Sequence, residues 1–189
     1  LLKYIDYLLK KKIRLNILIY LLNKILYNIK YRIVGMDFSI EKRKHEDMYE
    51  QWDSGSEIDI ILSVIDVKST DSIIDIGSGK GGAVIALSKY PFNKVDGIEL
   101  YSDLYEISKR NILKTKHRNI RIYCDDAQTF KGYSQYNVFY MYNPFSGNIM
   151  KNVLKQISHS LKETPRDILL IYFNPIFHSI VTESGIFIK

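Results

Sequence analysis

The chain has 189 residues, 46% of them hydrophobic and 25% charged, which is the balance of a soluble globular protein holding one domain with a substantial core. Its single cysteine, Cys124, excludes an intrachain disulfide framework and a cysteine-rich zinc site, and fits a reducing compartment such as the cytoplasm. The formal net charge of +6 is uneven: residues 1–35 hold eight basic side chains against Asp6 alone, while the remainder is close to neutral, so a nucleic-acid groove finds no support in the overall balance.

The first residue is Leu rather than Met, which leaves a preceding segment open. The longest apolar stretch, Leu15–Asn23, lies between Arg14 and Lys24 and is far short of the roughly 20 residues that cross a membrane. Residues 1–35 read as a basic amphipathic helical arm. Leu15, Leu18, Leu22, Ile25, Ile29 and Ile33 form one apolar stripe at steps of three and four, with Tyr20, Lys24, Tyr27 and Tyr31 on the other side. Gly35 reads as its stop. The stripe suits packing on the domain or a partner chain; the charge also suits an anionic membrane surface, which would make the protein membrane-peripheral.

Residues 36–189 read as the main domain. The polar stretch 36–57 predicts a loop with a short helix, in which Tyr49 and Trp52 are placed to pack or to fold over a ligand. A helix follows over about Ser56–Val67. Strands are then predicted at Ile73–Ile76, Lys94–Glu99, Ile120–Cys124, Asn137–Tyr142 and Ile168–Phe173, with helices near Gly82–Lys89, Ser102–Leu113 and Ile149–Leu161. Ile186–Ile188 reads as one more short strand. This alternation predicts an α/β fold, a Rossmann-like, mostly parallel open sheet with helices on both faces.

The first strand runs into "DSIIDIGSGKGG", residues 71–82. A nucleoside triphosphate loop is excluded, because position 74 is Ile and position 81 is Gly where that pattern needs Gly and Ser or Thr. G-x-G-x-x-G does fit, as Gly77, Gly79 and Gly82, with Glu99 at the end of the second strand where a ribose diol would sit. Dinucleotide and S-adenosylmethionine sites share this much. Asp75 separates them: a carboxylate there suits an ammonium and a sulfonium and would repel a pyrophosphate. Lys80 argues the other way unless it points to solvent. Asp126, at the third strand's end, suits the adenine amino group, or else a turn with Asp125.

In order along the chain, "DIGSGKG" (75–81), "GIEL" (97–100), "DDA" (125–127) and "YNPF" (142–145) resemble the class I S-adenosylmethionine-dependent methyltransferases over roughly residues 56–175. The resemblance implies a seven-stranded sheet with one reversed strand, of which five or six are visible. It also implies S-adenosylmethionine as cofactor. Asp75 would then hold the methionine end, Gly77, Ser78, Gly79 and Gly81 would pass beneath it, Glu99 would take the ribose, and Asp126 with Ala127 would take the adenine edge. Asn143 and Tyr142 would stand at the reacting methyl. Asn174 and His178, after the similar "YFNPIFH", are candidates for the same acceptor pocket. The single proline of "YNPF" gives no support for a nitrogen acceptor, and the acceptor stays unassigned. Two rivals remain: an NAD(P)-dependent oxidoreductase, and a non-catalytic binding module of the same fold. His45, His117, His159 and His178 show no metal-ligand spacing and read mostly as surface residues.

Overall fold

A computed structural model of the chain describes residues 3–4, 25–27, 29–38, 57–117 and 119–187. Its sheet is built from β1 (Lys3–Tyr4), β2 (Ser72–Ile76), β3 (Lys94–Glu99), β4 (Ile120–Cys124), β5 (Val138–Tyr142) and β6 (Leu169–Phe173), in the order β1-β6-β5-β2-β3-β4. Every pair is parallel. The helices are α1 (Ile58–Leu62), α2 (Gly82–Leu87), α3 (Ser102–Leu113), α4 (Gly147–Glu163) and α5 (His178–Glu183). Parallel strands need crossovers, and a sheet whose order reverses between β2 and β5 opens a crevice at the carboxyl ends of those strands.

The sheet is covered on both sides, which is why β2 is buried along its whole length. Side chains alternate between two cores. Ile74, Ile76, Phe139, Met141 and Leu170 pack with Met150, Val153, Leu154 and Ile157 of α4. Ile73, Val95, Tyr140 and Ile171 pack on the opposite face with Ile58 and Ile61 of α1 and with Val84 and Leu87 of α2.

Three expectations are corrected. Ile186 and Phe187 form no strand: they lack a paired neighbour and instead bury their side chains in the α4 core; Ile188 lies outside the described residues. The reversed strand of a seven-stranded sheet is not present among the described residues, and the sixth position is taken by Lys3–Tyr4, parallel to β6 and paired with Leu169–Leu170. Those two residues were expected in a helical arm, and two residues are too short a run for period-two patterning to register.

The third correction concerns which face of the arm is buried. Residues 25–27 and 29–33 are helical, and Gly35 (φ +72°) stops them as expected: Gly35 N–H donates to Arg32 O and Met36 N–H to Tyr31 O, the paired bonds of a Schellman cap. Yet Ile25, Ile29 and Ile33 face outward. Tyr31 is buried with Met36 and Ile85 instead, and Tyr27 packs beside it. The domain offers this helix polar partners. Tyr27 and Tyr90 both donate to Asp59, at 3.2 and 2.7 Å, and the Lys89 ammonium sits 4.5 Å from the Tyr27 ring centroid. Burial pushes the Tyr27 hydroxyl far above its ordinary range, so it stays a donor. The rest of the stripe, Leu15 to Leu22, lies outside the described residues, as do Tyr49, Trp52 and His45. No helix among the described residues is long and apolar enough to cross a membrane.

Candidate active site

The glycine loop leaves β2 through three left-handed turns, at Gly77 (φ +83°), Gly79 (φ +54°) and Gly81 (φ +84°). At Gly77 a side chain is excluded twice over: the backbone is left-handed, and an added Cβ would stand 2.5 Å from Cβ of Pro144. The loop after β2 and the loop after β5 therefore touch at this glycine. Four of the loop's amides are engaged within the protein. Gly77 and Ser78 both donate to Ile98 O at 2.9 Å, Gly79 donates to Glu99 Oε2 at 2.8 Å, and Gly81 donates to Ser78 O at 2.9 Å. Phosphate cradles work by leaving such N–H groups free. At these four positions they are not free, which agrees with a ligand carrying a sulfonium rather than a pyrophosphate.

Glu99, at the tip of β3, is buried, and its two oxygens accept from Gly79 N–H and from Tyr101 N–H at 2.9 Å. Burial lifts its carboxyl above the ordinary value of 4.5, against the pull of the Tyr101, Gly79 and Leu100 amides. A carboxylate has about four acceptor sites, so the amides leave capacity for a further donor such as a ribose hydroxyl. Beyond β4, Asp126 Oδ1 accepts from Gln128 N–H at 2.8 Å, and Asp125 Oδ1 accepts from Asp126 N–H at 2.8 Å. The turn reading of Asp125–Asp126 is thus realised, and Asp126 still borders the same crevice as Glu99. That crevice is a narrow cleft of about 50 Å³, partly open to solvent, with Gly77 and Ala127 in its lining. Exposed Leu100 stands on one side, and Pro144, Phe145 and Ile149 on the other. Carboxylates for hydroxyl and amino donors, beside apolar side chains that can cover a ring, suit an adenosine group.

Other expected residues sit elsewhere. Asp75 is buried in β2, between Gly97 and Tyr140 in register, on the α1–α2 face by alternation. It does not line the crevice. Ser78 is buried against Gly97, where any Cβ would lie 2.8 Å from the serine side chain; its hydroxyl has no hydrogen-bond partner. Lys80 does not point to solvent. It is buried and ion-paired with Asp37 at 3.4 Å. Asn111 of α3 completes that arrangement, donating to Lys80 O and Asp37 O and accepting from Asp37 N–H.

At the tips of β5 and β6 the chain turns twice in the same way. Asn143 (φ +42°) and Asn174 (φ +49°) are the described non-glycine residues with left-handed backbones, each followed by proline. Asn143 is buried, and its Oδ1 accepts from Tyr172 Oη–H at 3.2 Å; Tyr172 Oη in turn accepts from Phe177 N–H at 3.3 Å. Tyr142 is half-buried and packs edge-on against Phe173, with ring centroids 4.9 Å apart. Asn174 is exposed and His178 half-buried. Tyr172 and Asn111 carried no signal in the sequence, since each acts on residues 29 or more positions away.

The profile of a family described as ribosomal RNA adenine dimethylase matches residues 42–173. The chain is 32% identical over 123 residues to an uncharacterized RNA methyltransferase of Chlamydia caviae, covering 62% of this chain and 29% of that protein. It is 25% identical over 151 residues to O-methyltransferase 2 of Dictyostelium discoideum, covering 77% and 44%. It therefore spans less than half the length of these curated relatives. The ribosomal protein L11 methylase of Lactobacillus delbrueckii subsp. bulgaricus superposes with a TM-score of 0.55 over 72% of this chain and 70% of that one, at 13% identity, a likeness of fold alone. S-adenosylmethionine is the cofactor of this class, and the carboxylate-and-apolar lining of the crevice fits it. With a profile that runs over well more than half the chain and over every strand tip that builds the crevice, the protein belongs to the ribosomal RNA adenine dimethylase family of class I S-adenosylmethionine-dependent methyltransferases.

Proposed function

We propose that this chain is the cofactor-binding, methyl-transferring unit of an S-adenosylmethionine-dependent RNA methyltransferase acting on an amino nitrogen of a base. One observation carries the reading: the family described by that activity is matched across the residues that form the crevice, from Gly77 to Phe145. When bound, the cofactor supplies a methyl group on a sulfonium, released with the carbon–sulfur pair left on sulfur as the acceptor nitrogen bonds the carbon. Charge disperses in that displacement, so the protein's task is to position the two partners. In this reading Glu99 accepts the ribose hydroxyls, Asp126 and Ala127 meet the adenine edge, and Leu100 and Ile149 flank the ring. Gly77, Ser78, Gly79 and Gly81 offer backbone beneath the sulfur, and Asp75 acts on the methionine end through the field of its buried carboxylate. Asn143 holds the acceptor amine and Tyr142 flanks it. Tyr172 orients the Asn143 amide from behind. The new ammonium loses its proton to water, which needs no dedicated base. Unpaired Cys124 agrees with a reducing compartment, and we assign the protein to the cytoplasm.

Transfer of labelled methyl groups to single-stranded RNA tests this. Asn143→Ala should lower kcat about 100-fold while S-adenosylhomocysteine binding stays within about two-fold, a loss of positioning alone. Full turnover in that variant would remove Asn143 from the role. Wild-type protein that binds S-adenosylhomocysteine but labels no RNA would remove RNA as the acceptor.

A further inference from the structure

Helix α4 begins two residues beyond Phe145 and contacts the crevice twice: Ile149 lines it, and Asn152 Nδ2 donates at 2.8 Å to Oε1 of Gln128, which also lines it. The buried side of the helix is apolar. Its outer side carries Lys151, Lys155 and Lys162, and Lys131 joins them from the loop after β4. Steps of four and seven keep the three helical lysines on one side, over roughly 16 Å of helix axis. None of the four lysines is ion-paired among the described residues. The nearby Glu163 is held by His159 at 3.3 Å, and Glu183 lies across the gap on α5. Two shallow hollows flank this row, of about 400 Å³ toward α5 and about 330 Å³ toward Lys131, and both are lined by Lys155 and Ser158.

We propose that this face of α4 is the track on which the phosphate backbone of the RNA substrate lies as one of its bases enters the site. The proposal rests on the RNA reading above and adds where the strand runs. Three unpaired ammonium groups along one side of α4, the first two residues beyond crevice-lining Ile149, and a fourth on Lys131 across the hollow offer the positive charge that a phosphate strand needs. Hollows on either side of Lys155 leave room for sugars and bases to turn away from the helix. Phosphate contacts of this kind fix register and carry no sequence information.

The test is a triple variant, Lys151→Ala, Lys155→Ala and Lys162→Ala, titrated with a labelled 16-nucleotide single-stranded RNA over a salt series. Each contact contributes about −0.7 to the slope of log K against log salt on a single strand. The variant should bind roughly ten-fold or more weakly at 0.1 M salt, with a slope shallower by about 2, while its S-adenosylhomocysteine affinity matches wild type. Wild-type binding with an unchanged slope in the variant would overturn the track and leave the RNA reading intact. Wild type that shows no salt-dependent RNA binding would overturn both. Polyglutamate that competes with RNA at equal charge, through the same lysines, would reassign the face to an acidic protein.

Discussion

In the proposed reading, the cofactor half and the acceptor half of the site are built by different means. On the cofactor side, the two crevice carboxylates take their short bonds from main-chain donors: Glu99 from the amides of Gly79 and Tyr101, Asp126 from that of Gln128, whose side chain adds only longer contacts of 3.3 and 3.4 Å. On the acceptor side, Asn143 is positioned by a side chain on another strand, Tyr172, which is itself bonded to Phe177 N–H. Main-chain positioning survives most changes of side chain, because every residue but proline supplies the donor. Side-chain positioning fails when one hydroxyl is lost. The cofactor half is therefore the robust one and the acceptor half the tunable one.

The sharpest way to break this difference is at Gly77, where the halves meet. Gly77→Ala forces a Cβ into Pro144 on a left-handed backbone. It should cost about 2–3 kcal/mol of stability by thermal melting and weaken S-adenosylhomocysteine binding at least 100-fold by calorimetry, damaging both sides together. Glu99→Gln should act on one side only. Losing charge-assisted bonds of about 1.5–3 kcal/mol weakens binding roughly 10- to 100-fold. Its pH dependence has a definite sign. Burial raises the Glu99 carboxyl above 4.5, so ionising it costs the fold stability as pH rises through that window. Ligand binding needs the ionised form and should weaken as pH falls through the raised value, in wild type and not in Glu99→Gln. Tyr172→Phe should give the smallest effect, on the other side. We expect kcat to fall about ten-fold with cofactor affinity unchanged and about 1 kcal/mol of stability lost, the worth of one ordinary hydrogen bond. A fall in cofactor affinity there would erase the distinction.

The same difference explains what the sequence made legible. Glu99 and Asp126 announced themselves because a strand tip, a short loop and a carboxylate are neighbours in the chain. Tyr172 and Asn111 did not, because their partners are distant in sequence. The helices tell a related story. Periodicity divides a helix into two faces without saying which is buried, and α4 hides its apolar face while the helical residues 25–27 and 29–33 show theirs. Asp59, Lys89 and Tyr90 decide the second case, by giving the two tyrosines polar partners. Overall charge is similarly blunt. A near-neutral sum over residues 36–189 averages away a row of lysines on one helix.

Asn111 ties the carbonyls of Lys80 and Asp37 to a single amide group, so the glycine turn and the stretch after Gly35 are coupled. Occupancy of the cleft should therefore be audible at a distance. Deuterium uptake at the Asp37 amide, remote from any adenosyl contact, ought to slow when ligand is added, turning that hydrogen into a built-in reporter for whatever segment lies upstream.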